Sequence, residues 1–285
     1  MTIGQRTQLA RWLEGDGIEI GALHQPLPVP EGARVTYVDR LDEAGLREHY
    51  PELAGSRFAP VSVIGSAEDL SAFADRSLDF VIANHLVEHL EYPIRGLLEF
   101  RRVLKPGGIL YMALPDRRLT FDRDREPTPL EHLLEEHRHG AEANRRAHYL
   151  EWANKVDGKQ GREAEAHADA LLESGYSIHF HVWTPDSFID FLVAARREAG
   201  LDLQLLEFGA AEVEGDFEFI LVLAREGDRV RLAPARSAQP QAADGQPPPS
   251  IRTRLARSPI GPPVRAVKRS LRRLGPGQDK GGRGR

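Results

Sequence analysis

The sequence predicts an α/β fold built on a mostly parallel sheet, and three observations lead there. Short apolar runs alternate with helix-period patterns through most of the first 228 residues. The last two apolar runs, over 201–208 and 217–224, are separated by a turn short enough for an antiparallel hairpin. After about Gly227 the chain turns to Pro, Gly, Gln and Arg, which bury too little apolar area to offset the entropy of ordering. The expected organisation is a folded domain over 1–228, with a helical insertion at 116–177, and a disordered basic tail over 229–285.

In chain order, residues 5–14 read as a helix with Leu9, Trp12 and Leu13 on one face. Strands are expected at 18–22, 34–39, 61–64, 78–84 and 108–115. The segment 87–104 has helical periodicity through Leu90, Ile94, Leu97, Leu98 and Val103. It stops at Lys105-Pro106-Gly107-Gly108. Residues 116–177 are polar and His-rich, and Thr128-Pro129-Leu130-Glu131 reads as a capping box with proline at the first helical position. Regularity is expected to return at 178–183, followed by a helix opened by Thr184-Pro185.

Charge and composition exclude several classes. The chain has 285 residues, 41% apolar and 28% charged, with no cysteine, so disulfides, thiolate metal sites and a cysteine nucleophile are absent. Its net charge of −5 hides a split: 14 Lys/Arg face 2 Asp/Glu from Arg229 onward, leaving 24 basic and 41 acidic residues before it. A body this acidic argues against nucleic-acid binding by the folded part. With no apolar run of membrane length and no secretory leader pattern, a cytoplasmic location is expected. Within the tail, Val264, Val267, Leu271 and Leu274 fall at helical spacing among basic residues, a pattern suited to weak contact with an anionic membrane surface.

Open α/β sheets bind ligands at the carboxyl ends of their strands. Here those ends carry Glu19-Ile20-Gly21-Ala22, then Asp39, then Ser66-Ala67-Glu68-Asp69, then Asn84-His85. Asp39 follows Glu19 by twenty positions, a spacing suited to a carboxylate that accepts both ribose hydroxyls.

These residues resemble the class I methyltransferases dependent on S-adenosylmethionine (SAM), particularly the group with the type 11 methyltransferase domain. The stretch SLDFVIANHLVEHLEYPIRGLLEFRRVLKPGGILYMALPD (77–116) is similar to that family's fourth strand, following helix and fifth strand. GSAEDL (65–70) is similar to its adenine loop. The resemblance implies a Rossmann-like sheet of seven strands with the last antiparallel, and SAM as cofactor. Glu19, Gly21 and Ala22 would lie under the methionine part, Asp39 at the ribose, Ser66, Ala67 and Glu68 about the adenine, and Asn84 beside the methionine end. Two departures stand out. The glycine-rich loop is reduced to Gly21-Ala22-Leu23-His24, and Pro26, Pro28 and Pro30 leave no room for the usual crossover helix. Ser66 stands where the family often has aspartate. IEIGALHQPLPVP with IHFHVWTPDSF further resembles bacterial methyltransferase-like proteins that accompany glycosyltransferases in polysaccharide clusters.

For an alcohol acceptor the protein must align the nucleophile and remove its proton. The candidate catalytic groups are His85, Asp116, His179 and His181. His179, His181 and Trp183 alternate, so in an extended segment all three share a face. They would bind a sugar ring, serve as base, hold a divalent ion, or simply pack the insertion on the sheet. No metal ligand set is assigned. His85-Leu86-Val87-Glu88-His89 fits the inverted zinc-peptidase pattern, but it begins at a strand end, which argues against that reading. Glu88 and His89 are expected to fix the start of the following helix. His132, His137 and His139 lie in a predicted helix and most are expected to be solvated, and Asp122 and Asp124 are expected to cap or pair with nearby arginines rather than serve as ligands. The expected function is methyl transfer from SAM to a sugar or surface-glycan precursor. The alternatives are a catalytically silent module that binds a glycosyltransferase or a nucleotide sugar, and a surface-anchored protein whose tail does the work.

Overall fold

The computed structural model describes residues 3–53, 55–211 and 216–227. The expected tail, with its Val264–Leu274 pattern, lies outside the described residues. Seven strands form one sheet: β1 (Gly15–Ile20), β2 (Ala33–Asp39), β3 (Val61–Ile64), β4 (Leu78–Asn84), β5 (Leu104–Pro115), β6 (Leu203–Gly209) and β7 (Glu218–Arg225). Their order is β3-β2-β1-β4-β5-β7-β6. The first five pair in parallel, while β7 runs antiparallel to both of its neighbours. This is the seven-stranded, last-antiparallel arrangement that the sequence predicts.

The central strands are apolar on both faces because both are covered. Alternate residues divide between two cores: Val81, Ala83, Leu110, Met112, Leu221 and Leu223 face one side, and Phe80, Ile82, Ile109, Tyr111, Ile220 and Val222 the other. The first core holds α3 (Pro93–Val103) and α7 (Pro185–Ala199), and the second is closed by α1 (Ile3–Leu9) and the 3-10 turn Ala10–Trp12. Each fully buried large side chain contributes about 1.5–3 kcal/mol. Gly17 is needed for close packing: a Cβ there would lie 2.3 Å from the Phe80 ring.

No helix joins β1 to β2; the connection 21–32 is irregular, as its prolines require. Between β2 and β3 lie α2 (Glu43–His49) and a 3-10 turn at Pro51–Leu53. The helix expected over 87–104 is divided into a 3-10 turn (Val87–His89) and α3, because Pro93 sits at a helix start, where its missing N–H costs nothing.

The insertion supplies α4 (Leu130–His139), α5 (Arg145–Lys155) and α6 (Gly161–Glu173); α5 and α6 pack on their own small core of Tyr149, Trp152, Leu171, Ile178 and Phe180, while α4 sends Leu133 and Leu134 into the core of α3 and α7. Two expectations need correction. The capping box at Thr128 does not form: Pro129 is the N-cap, and Thr128 Oγ1 accepts the Val182 N–H at 2.9 Å instead. A second correction concerns 178–183, which is not a strand. Its amides at Phe180 and His181 donate to the Glu88 carbonyl, and a single bridge pairs Trp183 with Asp116. The helix expected at Thr184-Pro185 is α7, and Thr184 opens it with a capping box whose partner is Ser187.

Candidate cofactor and acceptor site

Because β1 to β5 are parallel neighbours, the groups at their carboxyl ends share one edge of the sheet. Gly21 follows β1 with φ +70°, which costs glycine nothing, and a Cβ there would have only Leu86 Cδ1 within 4 Å, at 3.6 Å. Glu19 lies beneath that loop. It is 1% exposed, and its two oxygens accept the Leu27 N–H at 3.0 and 3.1 Å. Burial raises its pKa to about 7, against the opposing pull of that N–H and of Arg6. Glu19 thus ties the proline-rich connection to the sheet. Ala22 accepts the Gln25 N–H in the turn above it, at 2.9 Å.

Asp39 ends β2 nearly buried, with Oδ1 accepting the Arg40 N–H at 2.7 Å, and burial raises its pKa above the ordinary carboxylate range. The next loop folds on itself: Ser66 Oγ accepts the Glu68 N–H at 3.1 Å, Ala67 is buried, and Glu68 accepts the Tyr92 N–H at 2.9 Å. The loop is also pinned to α3, where Glu99 accepts the Leu70 N–H at 2.9 Å. At the end of β4 the Asn84 amide lies beside Glu19, yet both its oxygen and its nitrogen are buried without a partner at hydrogen-bond geometry.

This edge fits SAM. Gly21 leaves room for an extended ligand beside the backbone, Asp39 is a carboxylate of the kind that accepts vicinal hydroxyls, and the unsatisfied Asn84 amide suits the polar end of an amino acid.

The candidate catalytic groups fall into three settings. His85 adopts φ +48° after β4, and its Nε2 meets Glu218 at 2.6 Å, with Glu88 3.5 Å from its Nδ1. Burial opposes its charge, but Glu218 and Glu88 outweigh burial and raise its pKa. Glu218 also binds Arg6, at 2.7 Å from Nε. Burial pushes the Glu218 pKa up, but Arg6 and His85 outweigh it and hold the pKa well below the ordinary value. Asp116 caps the 3-10 turn Arg117–Leu119 and is clamped by the Arg118 guanidinium at 2.6 Å.

His179 and His181 do not share a face; they join separate clusters. His179 Nδ1 is 2.6 Å from Asp122, while its buried Nε2 has no hydrogen-bond partner. Its ring lies 4.7 Å from that of His89, whose Nδ1 donates to the Ile178 carbonyl at 2.9 Å. Burial and His179 push the His89 pKa down to about 3. Asp122 is paired as expected, with Arg125 at 3.0 Å. Glu88 and His89 do not cap α3, whose N-cap is Tyr92; they turn inward, and Glu88 is fully buried. His181 instead meets His132, Glu136 and His148. Sequence reasoning passed over Glu218, Glu136 and His148; only the pair His132 and Glu136, four apart on a predicted helix, carried a local signal. A cavity of about 560 Å³ between α4 and α7 is lined by Pro127, Leu133, Asp190 and Arg197 among others, and none of the strand-end groups lines it.

Strand order and strand-end groups together define the class: a Rossmann-like methyltransferase fold of class I. Residues 15–112 match the Methyltransf_11 family, described as a methyltransferase domain, which spans the strands that carry the cofactor edge. Those residues accordingly form a methyltransferase domain, for which SAM is the cofactor. No curated protein matches the chain in sequence. Among solved structures it is similar to a Pyrococcus horikoshii protein (19% identity, 75% of this chain and 82% of that one, TM-score 0.41). It is also similar to SAM-dependent methyltransferases of Thermotoga maritima (18%, 79% and 92%, 0.40) and Methanosarcina mazei (18%, 75% and 93%, 0.40). At these scores the likeness adds nothing to what the strand order shows. Among the described residues no helix is long and apolar enough to cross a membrane.

Proposed function

We propose that the protein O-methylates a sugar or surface-glycan precursor. The observation that carries this reading is the Asp122–His179 pair, with Nδ1 held at 2.6 Å and Nε2 left unpaired. An alcohol is a weak nucleophile, and a carboxylate-oriented imidazole is the arrangement that removes its proton. SAM supplies an activated methyl group on a sulfonium; the chain supplies alignment and the base. His85 is engaged with Glu218 and Asp116 with Arg118, so His179 has the strongest claim to the proton. The polysaccharide-cluster resemblance supports a glycan setting, and a glycosyltransferase is the partner it suggests.

Two measurements test the proposal in sequence. Titration calorimetry with SAM should show binding by the wild type that Asp39→Ala abolishes. Mass spectrometry of nucleotide sugars and glycosides incubated with enzyme and labelled SAM should then find a methyl ether. His179→Ala should lower kcat by about 10²–10⁴-fold while SAM affinity is retained. Methylation at unchanged rate by His179→Ala, or methyl found only on nitrogen, would refute the assignment.

A further inference from the structure

His132 and Glu136 stand four residues apart on α4, His148 is on α5, and His181 lies in the segment that returns over the sheet. Three elements distant in sequence thus deliver three imidazoles and one carboxylate to one point, with all four ligand-type atoms within 4.8 Å of one another. His132 Nε2 is 3.2 Å from His148 Nε2, and these two nitrogens lie 3.1 and 3.0 Å from Glu136 Oε1. His181 Nε2 is 3.5 Å from Glu136 Oε2.

Hydrogen bonding alone does not satisfy this arrangement. Each ring nitrogen carries at most one proton, so a triangle of two nitrogens and one oxygen holds at most two hydrogen bonds, and the two nitrogens are left in repulsive contact. Glu136 Oε2 and both nitrogens of His181 are buried without a partner; the Glu91 carbonyl lies near the His181 ring but outside hydrogen-bond geometry. Glu136 and His181 are 1% and 0% exposed, so solvent does not supply the missing bonds.

The four separations just given, 3.0–3.5 Å, are close to those of a ligand shell. Four ligands held tetrahedrally at 2.0–2.1 Å from a cation lie about 3.3 Å from one another. We infer that His132, Glu136, His148 and His181 bind one divalent transition-metal ion of the Zn²⁺ type. Three nitrogens and one oxygen suit Zn²⁺ rather than Mg²⁺ or Ca²⁺, which take oxygen ligands. Asn144 Nδ2 donates to Glu136 Oε1 at 3.2 Å and orients the carboxylate from outside the set. Four protein ligands make a closed, structural site. It clamps α4 and α5 to the segment whose backbone is pinned to Glu88, and so holds the insertion against the sheet edge.

The experiment is metal analysis of full-length protein purified without a histidine tag or chelator, followed by Co²⁺ titration of the chelator-treated protein. One equivalent of zinc should be present in the wild type and absent from His148→Ala and from Glu136→Gln. His137→Ala, an exposed neighbour on the same helix, should keep it. Co²⁺ should produce the intense visible bands of a four-coordinate N,O site, and chelation should lower Tm. The Co²⁺ spectrum needs no variant, so misfolding of a variant leaves the test intact. Failure of the wild type to take up zinc or Co²⁺, or equal metal content in wild type and His148→Ala, would overturn the inference and leave ordered water as the occupant.

Discussion

The sheet and the insertion stabilise themselves by opposite means. In the sheet, β4, β5 and β7 present apolar side chains to two cores, and the backbone satisfies its own hydrogen bonds along the ladder. Around the insertion a small apolar core is joined by buried polar groups: Asp122, Arg125, Glu136, His148, His167, His179 and His181. Arg125 alone reaches Asp122, Glu151 and the carbonyls of His179 and Phe180. Apolar burial is non-directional and indifferent to pH, whereas a buried polar network holds only while every member keeps its charge and partner. The apolar faces of the sheet are therefore insensitive to pH, with titrating carboxylates confined to the strand ends, whereas the insertion depends on a network of buried charged groups.

Breaking the network should give the largest effect. Arg125→Ala leaves Asp122 buried without its cation and should cost about 3–5 kcal/mol in urea unfolding, with hydrogen exchange accelerated over 130–183 and SAM affinity preserved. Loss of SAM binding along with the insertion would erase the division between the two regions. Leu110→Ala, in the middle of β5, should cost about 2–5 kcal/mol through cavity formation, and equally at pH 5 and pH 8. A strong pH dependence of that cost would show that titrating groups act in the apolar interior of the sheet as well as at its strand ends.

Two carboxylates beside the strand ends should pull stability in opposite directions with pH. Glu19 has a folded pKa raised to about 7, so the native state holds its proton between about pH 4.3 and 7 while the unfolded chain has lost it, and stability falls as pH rises through that window. Glu19→Gln should remove this slope in a series of thermal melts. Glu218 has a depressed pKa; its contribution is complete above about pH 4.3 and is lost as pH falls toward its folded value. Glu218→Gln should flatten the acid limb, and it should also weaken the neutral limb because His85 loses a partner that raises its pKa. The smallest effect is expected at Arg34, whose pair with Asp16 is fully solvated: Arg34→Ala should leave Tm unchanged within error.

The strands were legible because their period is local. β3 and β4 fall where their apolar runs predict, and the residues expected at a cofactor edge stand at or beside strand ends. The segment 178–183 was misread as regular because alternation alone does not say whether a ladder partner exists; here the partners are Glu88, Thr128 and Asp116. For the same reason Thr128, which looks like a cap, serves instead as a side-chain acceptor for Val182.

What the sequence determined by itself is the sheet, its antiparallel last strand and the groups that stand at its strand ends, since periodicity and strand-end position are properties of neighbouring residues. What the tertiary structure decided is the pairing of histidines and acids. His179 found Asp122 from 57 positions away, and His181 found His132, Glu136 and His148 rather than its own neighbour His179. Such contacts depend on how three helices and one irregular segment close over the sheet, and no local pattern encodes that closure.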